Sequence, residues 1–296
     1  MFRVVGIGEL LWDLLPSGKE IGGAPANFSY HAGALGCEAR TISRVGDDAP
    51  GRELLAKLTT LGVSTECIQV DTILPTGTVA VEIDADGQPC FEIRRDVAWD
   101  HLQADVAALH AVATADALCF GTLGQRDPVA RAAIRALVAA SPVEALRVLD
   151  VNLRQQHFSR PLIEESLALA TVLKVNDLEL PRLVEMFALT GSEHAQMEQL
   201  AERWQLRAIA LTRGDRGSVL LTAHEWSEHD GIRIDVVDTI GAGDAFTAAM
   251  TVGLLSGWAL DDVNAHANEV AAFVASHAGG TPTLPAGITA PFATRA

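Results

Sequence analysis

The chain has 296 residues, 49% of them hydrophobic, and its 38 acidic against 22 basic side chains leave a formal net charge of -16 at pH 7. That composition excludes a disordered chain, and the excess of carboxylates argues against a sequence-independent nucleic-acid surface or an anionic-membrane binder. Any anionic ligand must then be held by local devices such as backbone amides, a few placed cations or a metal ion.

The opening stretch MFRVVGIGELLWDLL is apolar only briefly and carries Glu9 and Asp13. It fits neither a signal peptide nor a spanning helix, so a cytoplasmic location is expected. From there, short β-branched runs alternate with longer alanine- and leucine-rich stretches, the pattern of an α/β fold with a mostly parallel sheet under helices. A first strand is predicted at 4–8, followed by an excursion over 10–21. A helix at 25–35, a strand at 40–45 and a helix at 51–61 come next. Residues 77–93 alternate around an Asp-Gly turn at 86–87, which reads as a hairpin and not as a βα unit. The two excursions are expected to pair into a small sheet beside the main domain. Strands at 117–121, 147–151, 172–175 and 208–212 then alternate with helices at 128–140, 161–170 and 177–187, and helices at 242–255 and 261–277 close the pattern. Prolines fall in first helical turns, where a missing N–H costs little. Cys37, Cys67, Cys90 and Cys119 show no C-x-x-C spacing, so neither a zinc site nor a redox pair is indicated.

Several stretches carry polar residues where a strand gives way to a helix. Ile21-Gly22-Gly23-Ala24-Pro25-Ala26-Asn27 sets two glycines before a helix whose first turn holds Asn27. It reads either as a simple loop or as a close backbone approach to a ligand whose hydroxyls Asn27 would bind. Asp13 lies near the end of the first strand and, with Asn27, would suit a polyol. Gly6-Ile7-Gly8 fails as a dinucleotide fingerprint because Leu11 stands where the third glycine belongs, and no P-loop is present. Asp238-Thr239-Ile240-Gly241-Ala242-Gly243-Asp244-Ala245-Phe246 brackets two glycines with carboxylates at a helix start. It reads either as a common glycine-rich turn with Asp at the helix start, or as a site where amides of residues 242–244 would cradle a phosphoryl group and Asp244 would take the proton of an attacking hydroxyl. DVNLR at 150–154 and KVNDLE at 174–179 follow successive strands and converge on one crevice. Asn176 and Glu179, three apart, would share a helix face and hold waters of a hydrated Mg²⁺, although an ordinary N-cap explains Asn176 equally well. LTRGDRG at 211–217 reads as a strand end with a glycine turn, or as a plain hairpin.

Taken together, GIGELLWDLLPSG, GGAPANFSYHAGALG, SRVGDDAPG, DVNLR, KVNDLE, LTRGDRG and DTIGAGDAF resemble the ribokinase-like (PfkB) carbohydrate kinases, most closely their fructokinase branch. The resemblance spans nearly the whole chain. It implies a three-layer α/β/α kinase domain over residues 1–296, with a β-sheet lid formed by about 10–21 and 67–97. It also implies an enzyme using ATP and Mg²⁺ on a sugar, most simply fructose to fructose 6-phosphate. By position, Asp244 matches the catalytic base and Gly241, Ala242 and Gly243 the anion hole. Asp13, Gly22, Gly23, Asn27 and Arg154 match sugar-binding positions. Lys174, Asn176, Thr212, Gly214, Gly217 and Asn268 fall where the family lines its nucleotide site, Glu179 where it meets Mg²⁺ through water, and Asp238 beside a possible K⁺. RDVAWD at 95–100 is fructokinase-like, with Trp99 and Phe91 either walling the sugar or packing in the lid. A homodimer through the lid is expected, with sugar and ATP as partners and no nucleic acid or membrane. A kinase for 2-keto-3-deoxygluconate or another sugar, and a non-catalytic sugar-binding regulatory protein, are the alternatives.

Overall fold

Strand residues alternate between two apolar faces along most of this chain, which forces helices onto both sides of one sheet. The computed structural model of the protein describes residues 1–15, 18–83 and 89–293. Its strands are β1 (Arg3–Ile7), β2 (Leu11–Leu15), β3 (Gly18–Gly22), β4 (Glu38–Gly46), β5 (Ile68–Asp71), β6 (Gly77–Ile83), β7 (Pro89–Ile93), β8 (Ala117–Phe120), β9 (Leu146–Asp150), β10 (Val172–Asn176), β11 (Ala208–Thr212), β12 (Ser218–Thr222) and β13 (Trp226–His229). The helices are α1 (Ala24–Ala34), α2 (Ala49–Thr60), α3 (Val106–Ala113), α4 (Pro128–Ala139), α5 (Arg160–Leu169), α6 (Leu180–Phe187), α7 (Glu193–Trp204), α8 (Ala242–Leu255), α9 (Leu260–Ala275) and α10 (Ala286–Ala293).

The main sheet runs β13-β12-β11-β10-β9-β8-β1-β4-β5. Its strands are parallel from β5 to β11, and β12 and β13 are antiparallel. Leu118 and Phe120 of β8 point into the core shared with α3 to α7, whereas Ala117 and Cys119 point into the one shared with α1, α8 and α9. Connections reverse direction around β1, the usual place for a ligand crevice at the strand C-termini. A second sheet, β3-β2-β6-β7, joins the two excursions, with β2 parallel to β6. Leu10, Trp12 and Ile21 pack with Leu54 and Leu58 of α2, tying it to the main body. Among the described residues no helix is long and apolar enough to cross a membrane.

Two expectations need correction. Residues 68–71, counted with the lid, pair instead with β4 in the main sheet, and Ile68 is buried against α2. The helix expected at 177–187 begins only at Leu180, because the Asn176 side chain accepts the amides of Leu178 and Glu179 at 2.9 Å each and closes a turn. Of the two roles left open for Trp99, its 1% exposure and its place in the apolar cluster at the root of the small sheet fit the packing one. The Asp-Gly turn at 86–87 and the side chain of Phe91 lie outside the described residues.

Candidate active site

The helix starts divide into those capped by a side chain and those that are not. The side chains of Asp48, Asp105, Asp127, Ser159 and Ser192 accept first-turn amides at the starts of α2, α3, α4, α5 and α7. Helices α1, α6, α8 and α9 start without a side-chain cap, and α1 and α8 do so on the glycines Gly23 and Gly241. In α1, Pro25 has no N–H and the amides of Ala26 and Asn27 turn back to Gly23 O, whereas at α8 no side chain caps the amides of Gly243 and Asp244. The two starts meet: Asn27 Nδ2 on α1 donates to Asp244 Oδ2 on α8 at 2.8 Å, across 217 residues of chain.

Backbone crowding explains the glycines. Gly241 has φ 74, and a Cβ there would sit 2.6 Å from the backbone of Gly280. That neighbouring loop is clasped from two directions. Asp238 accepts Ile240 N at 2.9 Å with one carboxylate oxygen and Gly279 N at 3.1 Å with the other. His31 Nε2, one turn beyond Asn27 on α1, meets Gly280 O at 2.9 Å. Burial holds His31 down to about 4, so the ring is neutral and donates from Nε2. At the other end of the site, a Cβ on Gly22 would lie 2.3 Å from Asp13 Oδ2, and one on Gly23 2.5 Å from the carbonyl of Glu9.

Charge at the site is dominated by carboxyls short of water. Burial pushes Asp244 up to about 6, and the nearby carboxylate of Asp150 pushes it the same way, against the hydrogen bond from Asn27 and the charges of Lys174 and Arg154. Asp13 is raised to about 6 by burial, opposed by Arg154. Arg154 itself is exposed, within electrostatic reach of Asp13, Glu9 and Asp244.

Lys174 is buried on β10, with its ammonium 3.2 Å from Asp150. Burial opposes its charge, but the carboxylates of Asp150, Glu179 and Asp244 outweigh it and hold the pKa above the ordinary lysine value. A Cβ on Gly243 would be 3.2 Å from Lys174 Nζ, so a fixed positive charge stands directly behind the start of α8. Asp150 is also held by Thr247 Oγ1, which donates to it at 2.9 Å.

The remaining candidates lie along β10 to β12. Glu179 is buried, with its carboxylate accepting the amides of Leu153 at 2.8 Å and Asn176 at 2.9 Å. Thr212 ends β11, and Gly214 and Gly217, both at positive φ, shape the turn into β12. This turn joins an antiparallel pair, as the hairpin alternative expected. Asn268 is buried behind it, donating to Ser218 Oγ at 2.6 Å and to Asn264 O at 2.8 Å.

Four residues at the site were not assigned a role from the sequence. Asp150 and Thr247 support Lys174, and Glu9, 4% exposed, packs beside Gly23. Burial raises Glu9 to about 7, and its Oε2 has no hydrogen-bond partner. Arg126 lies beneath the small sheet. A carboxylate inside the apolar run from Val4 to Trp12 is the one signal that marks Glu9; Thr247 in an alanine-rich helix has none.

The chain is similar to known carbohydrate kinases in sequence and in fold. A family profile described as "pfkB family carbohydrate kinase" matches residues 17–287. A protein of Arabidopsis thaliana named "probable fructokinase-4" is 31% identical over 310 residues, covering 95% of this chain and 93% of its own. The crystal structure of a sugar kinase from Pyrococcus horikoshii in complex with ATP superposes with a TM-score of 0.80 at 28% identity, over 94% of each chain. A fructokinase from Vibrio cholerae, bound to fructose, ADP and a calcium ion, gives a TM-score of 0.81 at 25% identity over 98% of each chain.

Proposed function

The chain belongs to the pfkB family of carbohydrate kinases and is a phosphotransferase acting on a sugar hydroxyl; from that premise we propose that it phosphorylates fructose with ATP, giving fructose 6-phosphate and ADP. The observation that carries the reading is the contact between Asn27 and Asp244, which joins the two glycine-led helix starts at one point.

In the proposed mechanism Asp13, Asn27 and the backbone at Gly22 and Gly23 hold the sugar hydroxyls, with Arg154 at the mouth of the cleft. Asp244, ionised at neutral pH despite its raised pKa, accepts the proton of the attacking hydroxyl as the oxygen bonds to the γ-phosphorus. The oxygen bridging to ADP leaves with the bond electrons. Amides at Gly241, Ala242 and Gly243 meet the charge on the transferring group, and Lys174 behind them adds a fixed positive field. Asn176, Thr212, Gly214, Gly217 and Asn268 mark the side from which ATP approaches.

The donor set fits Mg²⁺ that arrives with the nucleotide. Among the described residues no cluster of three or more His, Cys, Asp or Glu side chains could cage a metal. Mg²⁺ commonly keeps its waters and binds through one or two carboxylates plus substrate phosphates, and we assign that role to Glu179 and Asp150. When bound, the ion neutralises charge on the phosphates. A K⁺ beside Asp238, between the two loops it clasps, belongs to the same proposal. We read the small sheet as a lid that excludes water from the phosphoryl group, and as the contact of a homodimer.

An ADP-release assay with Mg-ATP against fructose, 2-keto-3-deoxygluconate, ribose, glucose, tagatose and adenosine, with and without K⁺, tests the reading. A clear preference for fructose supports it. Another winner keeps the mechanism and moves the specificity, and sugar binding with no ADP release would make the protein a regulator.

A further inference from the structure

The chain crosses between the main domain and the small sheet at Gly77 on the way out and at Ile93–Arg94 on the way back, and one cluster grips both crossings. A Cβ on Gly77 would lie 2.4 Å from Trp99 Nε1, so the outgoing backbone rests on the Trp99 indole. Ala98 N also donates to Pro75 O at 2.8 Å. The guanidinium of Arg126 stacks on the Trp99 ring, 4.0 Å from its centroid. Arg126 Nε donates to Asp100 Oδ1 at 2.7 Å and Nη2 to Asp100 Oδ2 at 2.8 Å, a two-pronged pair with side chains 5% and 4% exposed. Nη1 also donates to the carbonyl of Ile93 and Nη2 to that of Arg94, at the end of the returning strand.

The cluster also reaches the sugar end of the site. Arg126 follows the turn Leu123–Gln125, where a Cβ on Gly124 would lie 2.9 Å from Gly8 Cα and 3.2 Å from Glu9 Oε2. Leu123, Trp99, Val97 and Ile93 share one apolar cluster with Val79 and with Leu11, two residues before Asp13. A planar fork held by a carboxylate and two carbonyls fixes its neighbours in orientation as well as distance, which a lysine ammonium cannot do.

We infer that Arg126, with Asp100 and Trp99, is the hinge block that sets the angle of the small sheet over the sugar site. This makes Arg126 a positioning residue for phosphoryl transfer although it contacts no substrate. The inference rests on reading that sheet as a lid.

Arg126→Met alone leaves Asp100 buried without its partner, so the decisive protein is the double variant R126M/D100N, which removes both charges and leaves no lone buried ion. Steady-state kinetics are to be combined with hydrogen exchange of amides 11–15, 18–22 and 77–83, with and without fructose. In the wild type, sugar protects these amides. In the double variant that protection weakens, the KM for ATP is unchanged, and kcat/KM for the sugar falls by about 10²-fold, the scale of a misplacement near 1 Å. The ratio of ATP hydrolysed to sugar phosphorylated rises, and R126K is intermediate. Unchanged sugar kinetics and coupling, with only a lower Tm, would overturn the role of Arg126 while leaving the lid intact. Absence of sugar-dependent protection in the wild type would overturn the lid reading, and this inference with it.

Discussion

Asp244→Asn is the sharpest test of the chemistry, because the substitution removes the charge and the base while preserving the shape. The amide oxygen of the variant can still accept the hydrogen bond that Asn27 Nδ2 makes at 2.8 Å, so the meeting of α1 and α8 is retained. With its carboxyl at about 6, Asp244 is ionised at pH 7.5 and about one-tenth ionised at pH 5. The sign follows: kcat/KM rises with pH through 6 and falls about tenfold per pH unit below it, as expected of a required base. Asp13, also near 6, steepens that limb if its ionised form must bind the sugar. In the variant, turnover at pH 7.5 drops by on the order of 10² or more and the part of the limb owed to Asp244 disappears. Fructose binding by calorimetry stays near the wild-type value. Asn27→Ala removes the hydrogen bond that holds the Asp244 pKa down, so its limb moves to higher pH. The measurements are pH profiles of kcat/KM from coupled ADP release. Near-wild-type turnover in D244N, or an unaltered acidic limb, would refute Asp244 as the base.

Glu9, 4% exposed, titrates at about 7 folded against 4.5 free, worth about 3 kcal/mol. This stability is present in full below pH 4.5 and is lost as pH rises through 7, so denaturant titrations should find E9Q gaining on the wild type between pH 4 and pH 8. Gly241→Ala forces a side chain to φ 74 and into the Gly280 backbone, and should reduce turnover by about 10²-fold by displacing the amides of α8, with binding of the sugar less affected. Lys174→Met strands the buried Asp150 and should lower stability by about 3–5 kcal/mol, read as a Tm shift; K174M/D150N should recover much of that.

Much of the fold was readable without coordinates, because the evidence for it is local. Apolar strand runs, alanine-rich helices and first-turn prolines put the boundaries of α4 and α8 within a residue of those observed. Elements with weak local signals went unread. In α7 only Met197 and Leu200 are buried, a stripe too narrow to announce a helix, and β12 and β13 hide in a stretch that also reads as turn. The start of α6 was misread because a side chain, Asn176, competes with the helix for its own amides.

By itself the sequence determined which residues could do chemistry: glycines where backbone must come close, carboxylates at strand and helix ends, and two signatures far apart in the chain. Only the tertiary structure decided what those groups are. Asn27 and Asp244 become partners because α1 and α8 pack on the same face of the sheet. Lys174 becomes a buried charge behind Gly243, and Glu9 an acid near neutral pKa, because water is excluded around them. Arg126 acquires a role because both crossings to the small sheet pass through its reach. The physical reason is common to all of them: residue type and spacing are local properties, whereas desolvation, Coulomb interaction and steric exclusion depend on distances between segments that the chain brings together only on folding.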